Sequence, residues 1–204
     1  MPLFYQHNIN DTSKLAVWHI TEQENFFLEK VQLQKIISHP HKRLQHLAGR
    51  YLLQLLHPEF PLHLIEIAES NKPLLQDQSF HFSISHCGDY AAAIISENES
   101  AGIDVELITP KVDSIKHKFL SDDELKILPE LNAAFLTICW SCKEAVYKWY
   151  GKGGVDFRNH IIIKNIIEEN KSGNIDCIFM KEGETKLGIY FHLFNNLCLA
   201  WVVA

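Results

Sequence analysis

Several sequence features that commonly announce a function are missing here. There is no G-x-x-x-x-G-K-[ST] loop and no Rossmann glycine fingerprint, so neither a P-loop nucleotidase nor a dinucleotide-binding protein is indicated. An excess of positive charge is missing too. Nineteen Lys and Arg stand against 25 Asp and Glu, a formal net charge of −6, which gives no support to a nucleic-acid partner. No apolar run approaches the length of a membrane span, and no basic segment followed by an apolar one opens the sequence. A cytoplasmic protein without membrane contact is the expectation. The five cysteines are an odd number without a secretory context. Cys139 and Cys142 form a CxxC, but no second CxxC or spaced histidine pair completes a zinc site, and both fall in a helical stretch. They read as reduced helix residues. The 12 histidines are scattered, and only His86 stands near other candidate residues.

What is present begins with Gly102-Ile103-Asp104-Val105-Glu106. As a strand it turns Ile103 and Val105 to one face and Asp104 and Glu106 to the other, the two carboxylates about 7 Å apart. An isolated D-x-E reads first as the polar outer face of an edge strand, and it is the residues further along the chain that shift the reading. Two acids on one face of an apolar strand nevertheless repel unless a cation joins them, and carboxylates suit Mg²⁺, Mn²⁺ or Ca²⁺ rather than zinc.

Along the chain, residues 15–20 read as a strand. A helix follows from a capping box at Thr21 and Glu24, its apolar stripe starting at Phe27, Val31 and Leu33. A second helix covers about 41–57, with Leu44, Leu47, Tyr51 and Leu55 toward the core and Lys42, Arg43 and Arg50 as basic decoration. Strands are expected at 64–68, 81–85, 90–95 and 102–107, with Asn71-Lys72-Pro73 as a turn or extended connection and 86–89 closing a hairpin. Ser121 and Glu124 make a second capping box. A long helix spans about 132–150 and stops at a glycine-rich run, and strands fill 160–204 around separators at 171–174, 182–184 and 195–196.

The segment 82–95 can be laid without gaps on 190–203, each strand, polar turn, strand, with Ala92 over Ala200. A helix precedes each. The pattern predicts an α+β fold of two similar halves, 1–100 and 101–204, packed as a pseudo-dimer of mainly antiparallel strands with one long helix per half. Such a chain is expected to be a monomer.

On the long helix Trp140, Glu144 and Lys148 are four apart and share a face. Glu144 before Lys148 is also the favourable order for a surface ion pair, but the tryptophan on the same stripe points it inward. Asp104, Glu106 and Glu144 together can hold one Mg²⁺, with Mn²⁺ the alternative, and Lys148 adds positive charge for a phosphate. Lys72, Ser85 and His86 supply further phosphate-seeking groups. The sum is a metal-diphosphate site.

In these residues the sequence resembles the two-halved, surfactin-synthetase-activating type of 4′-phosphopantetheinyl transferase. The motifs, in order, are Lys72-Pro73, then Phe82-Ser83-Ile84-Ser85-His86, then Gly102 to Glu106. Last comes the run from Trp140 to Lys148 (W-x-x-K-E-x-x-x-K), followed by Gly151 and Gly153. Phe119 with Glu124 resembles the family's aromatic-then-acid segment. Ser83 stands where the family usually has Asn, and Cys87 where a serine is common. The resemblance implies Mg²⁺-dependent transfer of the phosphopantetheine arm of coenzyme A, the co-substrate, to a serine of an acyl or peptidyl carrier protein. Adenosine 3′,5′-bisphosphate is the expected by-product. It further implies that the first half contacts coenzyme A phosphates and the second carries the carboxylates and the catalytic helix. Arg43 or Arg50 would bind the 3′-phosphate, Lys72, Ser85, His86 and Lys148 the remaining phosphates, and Glu144 and Lys148 would be catalytic. The competing classes are a Mg²⁺-dependent phosphohydrolase using the same acids, and a non-catalytic module that binds coenzyme A or a carrier protein.

Overall fold

The computed structural model describes residues 2–32 and 36–204. The chain divides into two compact units, Met1–Ala101 and Gly102–Ala204.

In the first unit a four-stranded sheet is built from β1 (Leu3–Asn8), β2 (Ser13–His19), β5 (His81–Cys87) and β6 (Tyr90–Ser96), in the order β1-β2-β6-β5. All of its pairings are antiparallel. β5 and β6 are joined by a two-residue turn in which Gly88 takes φ 54°, a left-handed conformation that suits glycine. Two short strands, β3 (Ile65–Ile67) and β4 (Pro73–Leu75), pair apart from this sheet. Between β2 and β3 lie α1 (Glu24–Leu28) and α2 (Pro40–Leu56). Pro40 opens α2 where its missing N–H is not needed. The core packs Trp18, Phe27, Leu47, Leu52, Leu53 and Phe82.

α1 starts at Glu24 behind Gln23, which makes no side-chain cap, so the helix lacks the capping box expected at Thr21. The Glu24 carboxylate is committed elsewhere, accepting from Arg43 Nε and Nη2 at 2.6 and 2.7 Å. Leu33 lies outside the described residues. In α2 the inward face is Leu47, Ala48, Leu52, Leu53 and Leu56, while Leu55 is 37% exposed. Leu55 therefore sits beside the core stripe, not in it.

The second unit holds β7 (Ala101–Leu107), α3 (Lys111–Phe119), α4 (Asp122–Ile127) and α5 (Ala133–Tyr150). Four strands follow, β8 (Ile161–Glu169), β9 (Ser172–Phe179), β10 (Thr185–Leu193) and β11 (Leu197–Val203). The sheet runs β7-β11-β10-β9-β8. The Ser121–Glu124 capping box is present at α4 in both directions. At α5, Asn132 accepts from Phe135 N, and Gly151 closes the helix at φ 72°. The turn before β9 falls on Asn170 and Lys171, both at positive φ, so that Ser172 to Asn174 already belong to the strand. Three of these elements were not evident in the sequence, β1, β4 and α3.

The halves repeat one scheme. A strand, one or more helices, then four strands recur, and β2-β6-β5 has the same order in its sheet as β7-β11-β10 in the other. They differ where β8 and β9 extend the second sheet, whereas β3 and β4 stand apart from the first. The gap-free sequence overlay is off by one pair. Ser85 faces Ala92, but its counterpart Leu193 faces Cys198 and leaves Ala200 to Phe191, because the second hairpin turns at Asn195-Asn196, one residue earlier than the overlay places it. Among the described residues no helix is long and apolar enough to cross a membrane.

All five cysteines are free, and Cys139, Cys142, Cys177 and Cys198 lie in the core of the second unit. Burial pushes the Cys139 and Cys177 thiols up to about 12 and Cys142 well above the usual range. Thiolate is the reactive form, so these four should be inert. Native protein titrated with an aromatic disulfide should show one accessible thiol, Cys87, and four more only on unfolding. Fast reaction of several thiols in the native protein would contradict this packing.

Candidate active site

The nine candidate residues divide between the units. Arg43, Arg50, Lys72, Ser85 and His86 belong to the first, and Asp104, Glu106, Glu144 and Lys148 to the second.

The second-unit group depends on a close approach of helix to strand. Gly102 shares a strand face with Asp104 and Glu106. A Cβ added to it would lie 2.0 Å from Ala145 O and 2.7 Å from Trp149 N, so the backbone of α5 runs directly against that face. The acids of β7 therefore look onto α5 and not into open solvent. Asp104 is 4% exposed, and Ile103 and Val105 on the opposite face are buried as well. The alternation expected for a half-solvated strand gives way to burial on both sides.

The same approach brings Lys148 to Asp104, with Nζ 2.7 Å from Oδ1. Lys148 thus pairs across to the strand and not along the helix to Glu144. The stripe of Trp140, Glu144 and Lys148 is half-buried, beside the fully buried Cys139, Cys142, Ala145 and Val146. Trp140 packs between Phe119 and Phe157, with centroids 5.2 and 5.6 Å away.

Burial pushes the Glu144 carboxyl up to about 7. The Asp104 charge adds to this, Lys148 opposes it, and Glu106 raises it further. Three acids thus share one field in a poorly solvated place. Among the described residues no three His, Cys, Asp or Glu side chains already close round a metal ion. The donor chemistry nevertheless fits a hard divalent cation, since the set is all carboxylate and its mutual repulsion is what such an ion relieves.

In the first unit a cavity of about 330 Å³ is lined by Lys72, Pro73, Gln76, His81, Phe82 and neighbours. Burial pulls the Lys72 ammonium down to about 8, and burial together with the Lys72 charge lowers His81. Ser85 and His86 do not line this cavity. They lie toward the turn end of β5, His86 five residues from His81 and so about 17 Å along an extended strand. Ser85 is buried and His86 exposed.

The two arginines differ. Arg43 holds Glu24 through two nitrogens and donates to Ile37 O at 2.8 Å, a staple of α2 to α1 and the segment before α2. Arg50 is 6% exposed, bonds His46 Nδ1 through Nη1 at 3.2 Å, and its buried Nε has no hydrogen-bond partner among the described residues. Burial lowers its guanidinium to about 10, still charged at neutral pH.

Two contacts of this region were not legible in sequence. Gly102 read as a motif letter, and its steric role needed α5 in place. Glu124 and Lys143 form a fully buried ion pair at 2.6 Å; the capping box accounted for Glu124 at the sequence level and concealed its second partner.

The model of the 4′-phosphopantetheinyl transferase superfamily matches residues 100–200. The chain is 36% identical over 117 residues to the 4′-phosphopantetheinyl transferase psf-1 of Bacillus pumilus, covering 52% of this chain and 50% of that protein. It is 30% identical over 188 residues to a Haemophilus influenzae protein whose assignment as a 4′-phosphopantetheinyl transferase is provisional, covering 85% and 77%. Enterobactin synthase component D of Salmonella typhi is 33% identical over 113 residues, 52% of this chain and 47% of that one. The match to the first and third thus spans about half of each relative's length. This chain belongs to the 4′-phosphopantetheinyl transferase superfamily.

If the contact at Gly102 holds the site together, Gly102→Ala should force α5 away from β7. Overpacking against backbone typically costs about 1–3 kcal/mol, measurable by urea unfolding. A variant within experimental error of the parent in stability would show that the helix yields freely.

Proposed function

We propose that this protein transfers the 4′-phosphopantetheine arm of coenzyme A to a serine of an apo acyl or peptidyl carrier protein, in the cytoplasm and as a monomer. The observation that carries this reading is the close set of Asp104, Lys148 and Glu144 between β7 and α5, in a chain whose family is a transferase family. Asp104, Glu106 and Glu144 are the residues that would hold Mg²⁺, or Mn²⁺ in its place. Bound there, the ion would neutralise charge on the coenzyme A diphosphate.

The chain's own groups account for the rest. The serine oxygen of the carrier forms a bond to the phosphorus that bears pantetheine. The bond from that phosphorus to the bridging oxygen breaks, and adenosine 3′,5′-bisphosphate leaves. Glu144 accepts the serine proton, directly or through a water. Lys148 meets the negative charge that grows on the diphosphate, a contact stronger in the transition state than before it. Lys72 and His86 orient phosphates that do not react, and Ser85 supports the strand end that presents His86. Of the two arginines, Arg43 is committed to Glu24, so Arg50 with its spare donor is the candidate for the 3′-phosphate.

Mass spectrometry after mixing the protein, coenzyme A, Mg²⁺ and an apo carrier decides the reaction. A carrier heavier by one phosphopantetheine arm supports transfer. Free phosphopantetheine with an unmodified carrier means hydrolysis, and no product from either route means a binding module. Sedimentation at micromolar concentration tests the monomer.

Two binding predictions follow from the first unit. Arg50→Ala should raise KM for coenzyme A by about 10-fold or more, the worth of a charged hydrogen bond, and should matter little with 3′-dephospho-coenzyme A. Arg43→Ala should instead lower stability. Equal losses with both substrates would remove the 3′-phosphate assignment. The Lys72 charge is present at neutral pH and is lost as pH rises through about 8. Coenzyme A affinity, measured by calorimetry, should therefore weaken between about pH 7 and pH 9 in the parent and stay flatter in Lys72→Arg. An identical slope in both proteins would clear Lys72 of contact with the ligand.

A further inference from the structure

Lys143 and Glu124 are the buried charges of the second unit that the reaction above does not use. Lys143 is 0% exposed and Glu124 2%. The Lys143 ammonium lies 2.6 Å from Glu124 Oε1, and donates to Phe119 O at 2.7 Å and Phe157 O at 2.9 Å. An ammonium has three donors, and all three are engaged. Glu124 is occupied as fully. Its Oε1 also accepts from Ile163 N at 2.8 Å, and its Oε2 accepts from Ser121 N at 2.8 Å. One ion pair thus fastens the end of α3, the start of α4, the middle of α5, the connection 151–160 and β8.

A buried pair of this kind is a poor device for stability alone, because desolvation of both ions offsets most of their attraction and apolar residues of similar volume often serve as well. What it supplies is direction, since each hydrogen bond tolerates little misalignment. Lys143 directly precedes Glu144. The two carbonyls that it holds belong to Phe119 and Phe157, whose rings flank Trp140, and Phe157 also packs on Tyr147 at 5.7 Å. The anchors therefore lie beside the stripe of Trp140, Glu144 and Lys148.

We propose that Lys143 and Glu124 are positioning residues: their pair fixes the rotation of α5 about its own axis, and so aims Glu144 and Lys148 at the acids of β7. The inference rests on the transfer reading for its consequence in rate. A carboxylate about 6 Å from the helix axis moves about 1 Å when the helix turns by ten degrees, and a displacement of that size can cost about 10²-fold. Substrate contacts in the first unit would be untouched.

The test is Lys143→Met, studied by steady-state kinetics, thermal unfolding and fluorine NMR of protein containing fluorotryptophan, with the Trp140 resonance assigned by substitution. The expected result is a folded protein with kcat lowered at least about 10-fold, KM for coenzyme A within about twofold, and a displaced Trp140 resonance. If Lys143→Met melts below the assay temperature, the double variant Glu124→Leu/Lys143→Met, which leaves no unpaired buried charge, replaces it with the same expectations. A folded variant that keeps the parent kcat and loses only melting temperature overturns the proposal. So does a lowered kcat with the Trp140 resonance unmoved. Should the parent itself fail to modify a carrier, the transfer reading falls, while the Trp140 resonance still reports whether the pair sets the helix.

Discussion

The contact between the backbone of α5 and Gly102 of β7 is the constraint on which the candidate site depends. Helix and strand normally stand a side chain apart. Here the missing Cβ lets Ala145 O and Trp149 N approach to where one would be, and the residues next along each element are drawn together with them. Asp104, two residues on, meets Lys148 at 2.7 Å. Glu144 is buried there in the field of Asp104 and Glu106, and burial first, then the Asp104 charge, pushes it up to about 7. A bulkier residue at 102 would separate these groups without altering any of them. Position and charge are set by one steric fact.

Burial then works against most of the charges proposed to act. It raises Glu144, lowers Lys72 to about 8 and lowers Arg50 to about 10. In each case the charged form is the one deprived of solvent, so each destabilises the unliganded fold and gains when a counter-charge arrives. Lys143 shows the contrast. It is more deeply buried than any of them, yet its three donors are satisfied within the unit. A buried charge with its partners supplied internally holds structure. Arg50, whose buried Nε has no hydrogen-bond partner among the described residues, is instead suited to a ligand.

How far the sequence reached follows from the range of the interactions involved. Patterns set within one element were legible: β7, the length of α5, the capping box at Ser121 and the presence of a hairpin around Gly88 all depend on near neighbours. Contacts across elements were not. The capping box at Thr21 failed because Glu24 is claimed by Arg43, 19 residues on. Lys148 shares its helix face with Glu144 as the spacing indicated, but its partner Asp104, 44 residues back, was not foreseen. Leu55 fitted the apolar period of α2 but lies on its edge, where Leu52, Leu53 and Leu56 already fill the inward arc. Candidate residues could be named from motif and chemistry, but their partners could not.

The two units share a scaffold and differ in the charge placed on it. β2 is to its sheet what β7 is to the other, and α2 to the first unit what α5 is to the second. Neither β2 nor α2 contains an acidic residue, while α2 carries Lys42, Arg43 and Arg50. β7 and α5 instead carry Asp104, Glu106 and Glu144. A repeated scaffold with repeated side chains would offer two equivalent sites. The basic residues of α2 suit an anion, and the acids that β7 and α5 bring together suit a cation. Under the proposed reaction this asymmetry gives one cation site per chain, because β2 and α2 offer no carboxylate to hold a second.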